Sequence, residues 1–348
     1  MDIKNSKTIK KSFASDNNSG VHPKILEAIN KANTGHVKGY GDDEYTEKAI
    51  LKMKGLFGQD TDVYFVLTGT AANVLSVATL IQPFQSVICA ESAHLNIDEC
   101  SAPERFAGIK IIPVHTSNGK LTVENIETHL TGFGFEHHSQ PGLISITQST
   151  EFGTVYQPSE IKSISELAHK YGMFLHVDGA RFSNAVAHLK CEVNDIAHDA
   201  GIDVLSFGGT KNGLMFGEAV IFFNKGLSKN FKYIRKQGMQ LYSKMRFVSA
   251  QFFAYLDDQL WLKNAQQANA MAKILENEIR NLPGIEIIQP VEANGIFARI
   301  PRHITEPLKE KYFFYTWDET VNEVRWMCSF DITEEDIHGF VNQIKKLL

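Results

Sequence analysis

The sequence predicts a doubly wound α/β fold: a large domain on a mostly parallel seven-stranded sheet, followed by a small C-terminal α+β domain. Three observations predict it. Seven short apolar runs alternate with helical patterns between about residue 60 and residue 225. Several of these runs are apolar throughout, as expected where helices cover both faces of a parallel sheet. Beyond Pro283 and Gly284 the pattern changes to short strands and one terminal helix.

The seven runs are 62–67 (DVYFVL), 86–90 (SVICA), 110–115 (KIIPVH), 143–147 (LISIT), 173–177 (MFLHV), 203–207 (DVLSF) and 218–223 (EAVIFF). Residues 158–171 read as a helix, because Pro-Ser-Glu makes a favourable first turn and Gly172 a favourable stop. Residues 247–282 read as long helical pattern with few breakers, and the domain boundary is expected inside it. Strands are expected at 285–288, 295–300 and 324–329, with a final helix capped by Thr333. The expected division is an N-terminal arm and loop (1–45), a large α/β domain (46–255) and a small α+β domain (256–348).

The chain has 348 residues, enough for one large domain and an appendage. A net charge of −5 gives no electrostatic reason to expect nucleic acid or an acidic membrane as partner. The basic runs at 4–11 and 232–236 are short; the first reads as an arm and the second as a helix face. No apolar run approaches the ~20 residues that span a bilayer. Residues 1–15 lack the apolar core of a signal peptide. Cys89, Cys100, Cys191 and Cys328 lie far apart without a CxxC pair. That argues against zinc and a disulfide framework, and suits a reducing cytoplasm.

Four segments carry chemistry, each just after a predicted strand. Thr68-Gly69-Thr70 opens a helix, where free N–H groups and the helix dipole favour a phosphate. Asp178, in His176-Val177-Asp178-Gly179, stands at a strand end, where it can pair with a protonated pyridine nitrogen or cap the next helix. Lys211, in Gly208-Gly209-Thr210-Lys211, follows glycines that let the backbone bring an amine close to a ligand. A desolvated lysine of that kind forms Schiff bases, and Thr210 could reach a phosphate. His94 could stack on a ring and handle a proton near neutral pH. Together these are the parts that pyridoxal 5'-phosphate (PLP) needs.

The chain resembles the low-specificity L-threonine aldolases, in the aspartate-aminotransferase-like (fold type I) group of PLP enzymes. The resemblance runs from Phe13 to the C-terminus. It is carried by FASDNNSG (13–20), YGDDEYT (40–46), LTGTAAN (67–73), SAH (92–94), HVDGAR (176–181), SFGGTKNG (206–213) and EVRWMCSFD (323–331). It implies that Lys211 carries PLP as a Schiff base, Asp178 pairs with the ring nitrogen, and His94 stacks on the ring. Gly69 and Thr70 would hold the phosphate, with Lys244 adding a charge from the adjacent subunit. Ser15, Arg181 and Arg325 would grip the substrate carboxylate, at about 1.5–3 kcal/mol per charge-assisted bond. Tyr40 would line the neighbouring site of a homodimer or dimer of dimers.

One departure stands out. Many such aldolases have a histidine after the strand at 143–147, where this chain has Glu151. His137 and His138 lie upstream of that strand, on a glycine-rich loop. Glu151, His94 and an ordered water are the candidate bases. The implied reaction is metal-independent cleavage of L-threonine or L-allo-threonine to glycine and acetaldehyde, or of a phenylserine-type substrate. The same scaffold also supports β-elimination, since fold and cofactor do not fix the bond broken. A non-catalytic phosphate- or nucleotide-binding protein is the reading from another class.

Overall fold

The computed structural model describes residues 11–348. The readings on residues 1–10, including most of the basic run at 4–11, lie outside the described residues. The large sheet comprises β1 (Asp62–Val66), β2 (Gln85–Ala90), β3 (Lys110–Val114), β4 (Gln140–Thr147), β5 (Phe174–Gly179), β6 (Val204–Gly208) and β7 (Glu218–Phe222). Its spatial order is β1-β7-β6-β5-β4-β2-β3. The pairs β6–β5, β5–β4, β4–β2 and β2–β3 are parallel, while β7 runs antiparallel to both neighbours. The reason is local. Only residues 209–217 join β6 to β7, too few for the crossover that a parallel return requires.

The apolar strands are explained by burial on both faces. Phe65, Ile88, Ile144, Leu205 and Ile221 enter one core cluster, whereas their alternates Val66, Val87, Leu143, Val204 and Val220 enter another. Helix Gly69–Leu80 packs on the second face, burying Leu75 and Val77. Helices Glu44–Phe57 and Arg246–Leu256 bury Met53, Phe57, Val248 and Phe252 in the first cluster.

The long helical pattern after residue 246 proves to be two helices, Arg246–Leu256 and Leu260–Ile279. Between them Asp258 and Gln259 take positive φ (49° and 53°), which breaks the helical hydrogen-bond ladder. The basic run 232–236 lies on helix Phe231–Gln237. The helix expected at 158–171 spans Pro158–Lys170.

The C-terminal sheet has β8 (Glu286–Ile287), β9 (Gly295–Arg299), β10 (Tyr315–Asp318) and β11 (Glu323–Met327), in the antiparallel order β10-β11-β9-β8. β10 was not among the expected strands. It is an edge strand with half its residues exposed, so it lacks the apolar run that marks the others. The last helix, Glu334–Leu347, opens with Thr333 and Asp336 in a reciprocal capping box. The arm is laced to this sheet: Met327 N–H donates to Phe13 O at 2.8 Å, and Phe13 stacks on Phe340 with ring centroids 4.3 Å apart. That anchoring holds residues 15–18 between the two sheets. Among the described residues no helix is long and apolar enough to cross a membrane.

Candidate active site

Strands β1, β2, β4, β5 and β6 deliver their following segments to one edge of the large sheet. There Ser15, Gly69, Thr70, His94, Glu151, Asp178, Arg181, Lys211 and Arg325 line a single cleft. Thr210 lines an adjoining cavity that shares Gly69, Thr70, His94, Asp178 and Lys211. Lys211 and Asp178, 33 positions apart in the chain (211 − 178), therefore face one space.

Each side chain has a structural reason for its position. Thr68 caps helix Gly69–Leu80 by accepting from Ala71 N–H at 3.2 Å. The amides of Gly69 and Thr70 precede the first intrahelical donor, as at any helix start. Lys211 lies in a short 3-10 turn, Thr210–Asn212, immediately after two glycines. A Cβ on Gly208 would stand 2.3 Å from Ala180 O, so only glycine admits this approach of β6 to the turn after β5. Burial, with help from the Arg181 charge, pushes the Lys211 amine below its ordinary pKa and favours the neutral, nucleophilic form.

Asp178 is buried, its Oδ1 accepting from Ala180 N–H at 3.0 Å and its Oδ2 from Asn73 Nδ2 at 2.7 Å. Behind it, His176 is fully buried between the Ser145 and Ser206 hydroxyls at 2.9 and 3.0 Å. Burial lowers its pKa to about 4, so it is a neutral brace within the sheet.

Glu151 follows β4. Its Oε1 accepts from His94 N–H and from the Thr147 hydroxyl, both at 2.8 Å, while its Oε2 is buried with no partner among the described residues. Burial raises its pKa to about 7. His94 Nδ1 lies 3.1 Å from Glu99 Oε1, and this bond raises the imidazole pKa against the opposing effect of burial.

Arg181 donates through Nε and Nη2 to the two oxygens of Asp16, at 2.7 and 2.9 Å, and Asn294 Nδ2 donates to Asp16 Oδ2 at 3.1 Å. The Arg181 fork is thus held by the protein itself. Arg325 donates to Ala14 O at 3.3 Å and stands 4.9 Å from the Trp317 ring centroid. Burial, then the Arg181 charge, lowers its pKa to about 10. Arg181 and Arg325 thus bring two guanidiniums to a cleft that Asp98, Glu151 and Asp178 also line.

Tyr40 and Lys244 do not line this cleft. Both are exposed, and Tyr40 N–H donates to Ser243 O at 2.9 Å, tying the two segments together. His137 and His138 are exposed in the turn preceding β4, away from the lining residues. Asp16, Asn73, Glu99 and Trp317 belong to the site although sequence reasoning assigned them no role. Asp16 and Asn73 sit inside quoted motifs; Glu99, in Asp98-Glu99-Cys100, carries no local signal.

The donor set fits PLP: one amine, a hydrogen-bonded carboxylate, an imidazole and a helix N-terminus share one cleft. The fold and site thus define a PLP-dependent α/β enzyme. The chain matches the β-eliminating lyase family over residues 12–302 and belongs to that family. It is 44% identical to the low specificity L-threonine aldolase of a Pseudomonas species and 43% to that of Pseudomonas aeruginosa, covering 97% of each chain in both cases. Its structure is similar to that of a Leishmania major threonine aldolase (TM-score 0.92, 31% identity), covering 97% of this chain and 99% of that one.

Proposed function

We propose that this chain is a PLP-dependent L-threonine aldolase, cleaving the Cα–Cβ bond of L-threonine or L-allo-threonine to give glycine and acetaldehyde. The observation that carries it is the shared cleft. Lys211, Asp178 and His94 line it together with Glu151 and the arginine pair. Similarity to named threonine aldolases along nearly the whole chain supports the reading.

Bound PLP supplies an electron sink for the pair left at Cα when Cα–Cβ breaks. Lys211 Nζ is the covalent anchor. Asp178 offers its carboxylate to the ring nitrogen, held in place by Ala180 and Asn73. The Gly69 and Thr70 amides and the Thr210 hydroxyl would hold the phosphate, and the His94 ring would lie against the cofactor ring. Arg325, Arg181 and Ser15 would bind the substrate carboxylate and so fix which bond at Cα is presented for cleavage.

Glu151 is the base. Its unpartnered Oε2 takes the β-hydroxyl proton while Oε1 stays fixed by His94 N–H and Thr147. As Cα–Cβ breaks, the Cβ–O bond becomes the aldehyde carbonyl, and a proton delivered to Cα completes glycine. Burial supports this choice over a free water, since a carboxylate with pKa near 7 is matched to neutral operation.

The chain works as a homodimer or dimer of dimers, Tyr40 and Lys244 serving the neighbour's cleft; both are exposed and lie outside their own. Mass measurement in solution tests this. The four unpaired cysteines suit a reducing cytoplasm. The deciding assay supplies threonine, allo-threonine, phenylserine and cysteine with PLP. Aldehyde and glycine should form from the β-hydroxy substrates; dominant pyruvate release would make β-elimination the reaction instead.

A further inference from the structure

Glu99 is almost wholly buried, and the polar groups around it form one connected chain. Asn73 Nδ2 donates one hydrogen to Glu99 Oε1 at 2.9 Å and the other to Asp178 Oδ2 at 2.7 Å. Glu99 Oε1 also meets His94 Nδ1 at 3.1 Å. The Asn73 amide has one orientation here. Flipping it would aim its carbonyl oxygen at two carboxylates, so Nδ2 must face them and Oδ1 is left buried without a partner.

The backbone is bent to deliver this carboxylate. After the single helical turn His94–Ile97, Cys100 and Ser101 both take positive φ, 50° and 57°. Such conformations are costly for residues other than glycine, and here they follow directly on Glu99.

From this geometry we propose that Glu99 is a positioning residue for His94: it holds the imidazole with its proton on Nδ1 and, through Asn73, ties that ring to Asp178. The proposal rests on the functional reading above. A carboxylate oxygen only accepts, so neutral His94 must carry its hydrogen on Nδ1. Nε2 is then the lone-pair nitrogen available to the cleft. The charged groups facing His94 are Glu99 at Nδ1, Glu151 at the backbone N–H, and Asp178 and Lys211 across the cleft. Asp98, also a lining residue, lies beside them. Of these only Glu99 touches the imidazole, and the hydrogen bond it makes is the largest influence on His94 titration.

The test follows the His94 ring by NMR against pH in cofactor-free protein, for wild type, Glu99→Gln and Glu99→Asp, with His94→Gln to assign the signal. Wild-type His94 should be the Nδ1–H tautomer when neutral. Its titration midpoint should fall by about one pH unit or more in the isosteric Glu99→Gln protein, where the facing charge is gone. Glu99→Asp keeps the charge but retracts it, so its midpoint should lie between the other two. An Nε2–H tautomer in wild type, or a midpoint unmoved by Glu99→Gln, overturns the proposal. A shifted midpoint in a protein that releases no aldehyde from any β-hydroxy amino acid would sink the aldolase reading and leave the Glu99–His94 pairing standing.

Discussion

Arg181 and Asp16, 165 positions apart in the chain, are joined by two hydrogen bonds of 2.7 and 2.9 Å, and Asp16 is 1% exposed. Burial alone would push the Asp16 carboxyl upward. The Arg181 charge and hydrogen bonds, with Lys211 and Asn294, outweigh it and hold the pKa below its ordinary 3.8. The arginine expected to grip substrate is therefore itself gripped, which fixes its aim at the cost of one face of its fork.

Asp16→Asn is expected to loosen that aim. KM for threonine should rise by about tenfold to a hundredfold, matching the loss of one charge-assisted bond worth about 1.5–3 kcal/mol. Turnover should change less. Because the folded carboxyl has a depressed pKa, the pair's stabilising contribution is fully present above about pH 4 and lost as pH falls below it. Melting curves of wild type and Asp16→Asn should converge as the pH is taken down through that range. Equal KM values in the two proteins would show that Arg181 needs no such partner.

Lys211 is the one lysine lining the cleft among the described residues. Wild type mixed with PLP should turn yellow, and borohydride should fix the cofactor to the peptide containing residue 211. Lys211→Ala should stay colourless and lose activity by several orders of magnitude. Mass spectrometry finding the reduced adduct on another lysine would end the assignment.

For Glu151 the expectation concerns both rate and stability. With a pKa near 7, its basic form is lost as pH falls, so kcat/KM should decline below about pH 7. Glu151→Gln should cut kcat by about 10²–10⁴ and remove that limb of the profile. A folded pKa raised above 4.5 means the stability is fully present below about pH 4.5 and is lost as pH rises through 7. The neutral glutamine escapes this loss, so in cofactor-free protein the variant should gain in melting temperature over wild type at pH 8 relative to pH 4. An unaltered acid limb in the variant would return the role of base to His94 or water.

The Arg325 guanidinium lies 4.9 Å from the Trp317 ring centroid. Arg325→Lys keeps the charge but loses the planar fork and the ring contact. KM is expected to rise about tenfold or more, the equivalent of ~1.4 kcal/mol, with a smaller change in kcat. Steady-state kinetics on threonine settle the point; a kcat loss at constant KM would assign Arg325 to the reaction step instead.

Much of the site was legible because its residues punctuate strands. Gly69, His94, Asp178 and Lys211 each follow an apolar run within a few positions, and a doubly wound sheet gathers such positions at one edge. Asp16 and Glu99 were not legible as partners. Their contacts span 165 residues in one case and turn on two strained φ angles in the other, and neither leaves a pattern in composition or period. The break at Asp258 and Gln259 was hidden for a similar reason, since neither residue is a glycine or proline.

Sequence by itself determined the large α/β core, the strand ends that reach the cleft, and the candidate lysine, carboxylate and imidazole. Apolar runs and glycines act locally, so they can be read locally. Tertiary structure alone decided which acid holds Arg181, which acid faces His94, and which Glu151 oxygen lacks a partner. Those outcomes depend on burial and on the meeting of distant segments, and desolvation arises only once the chain has folded around the group.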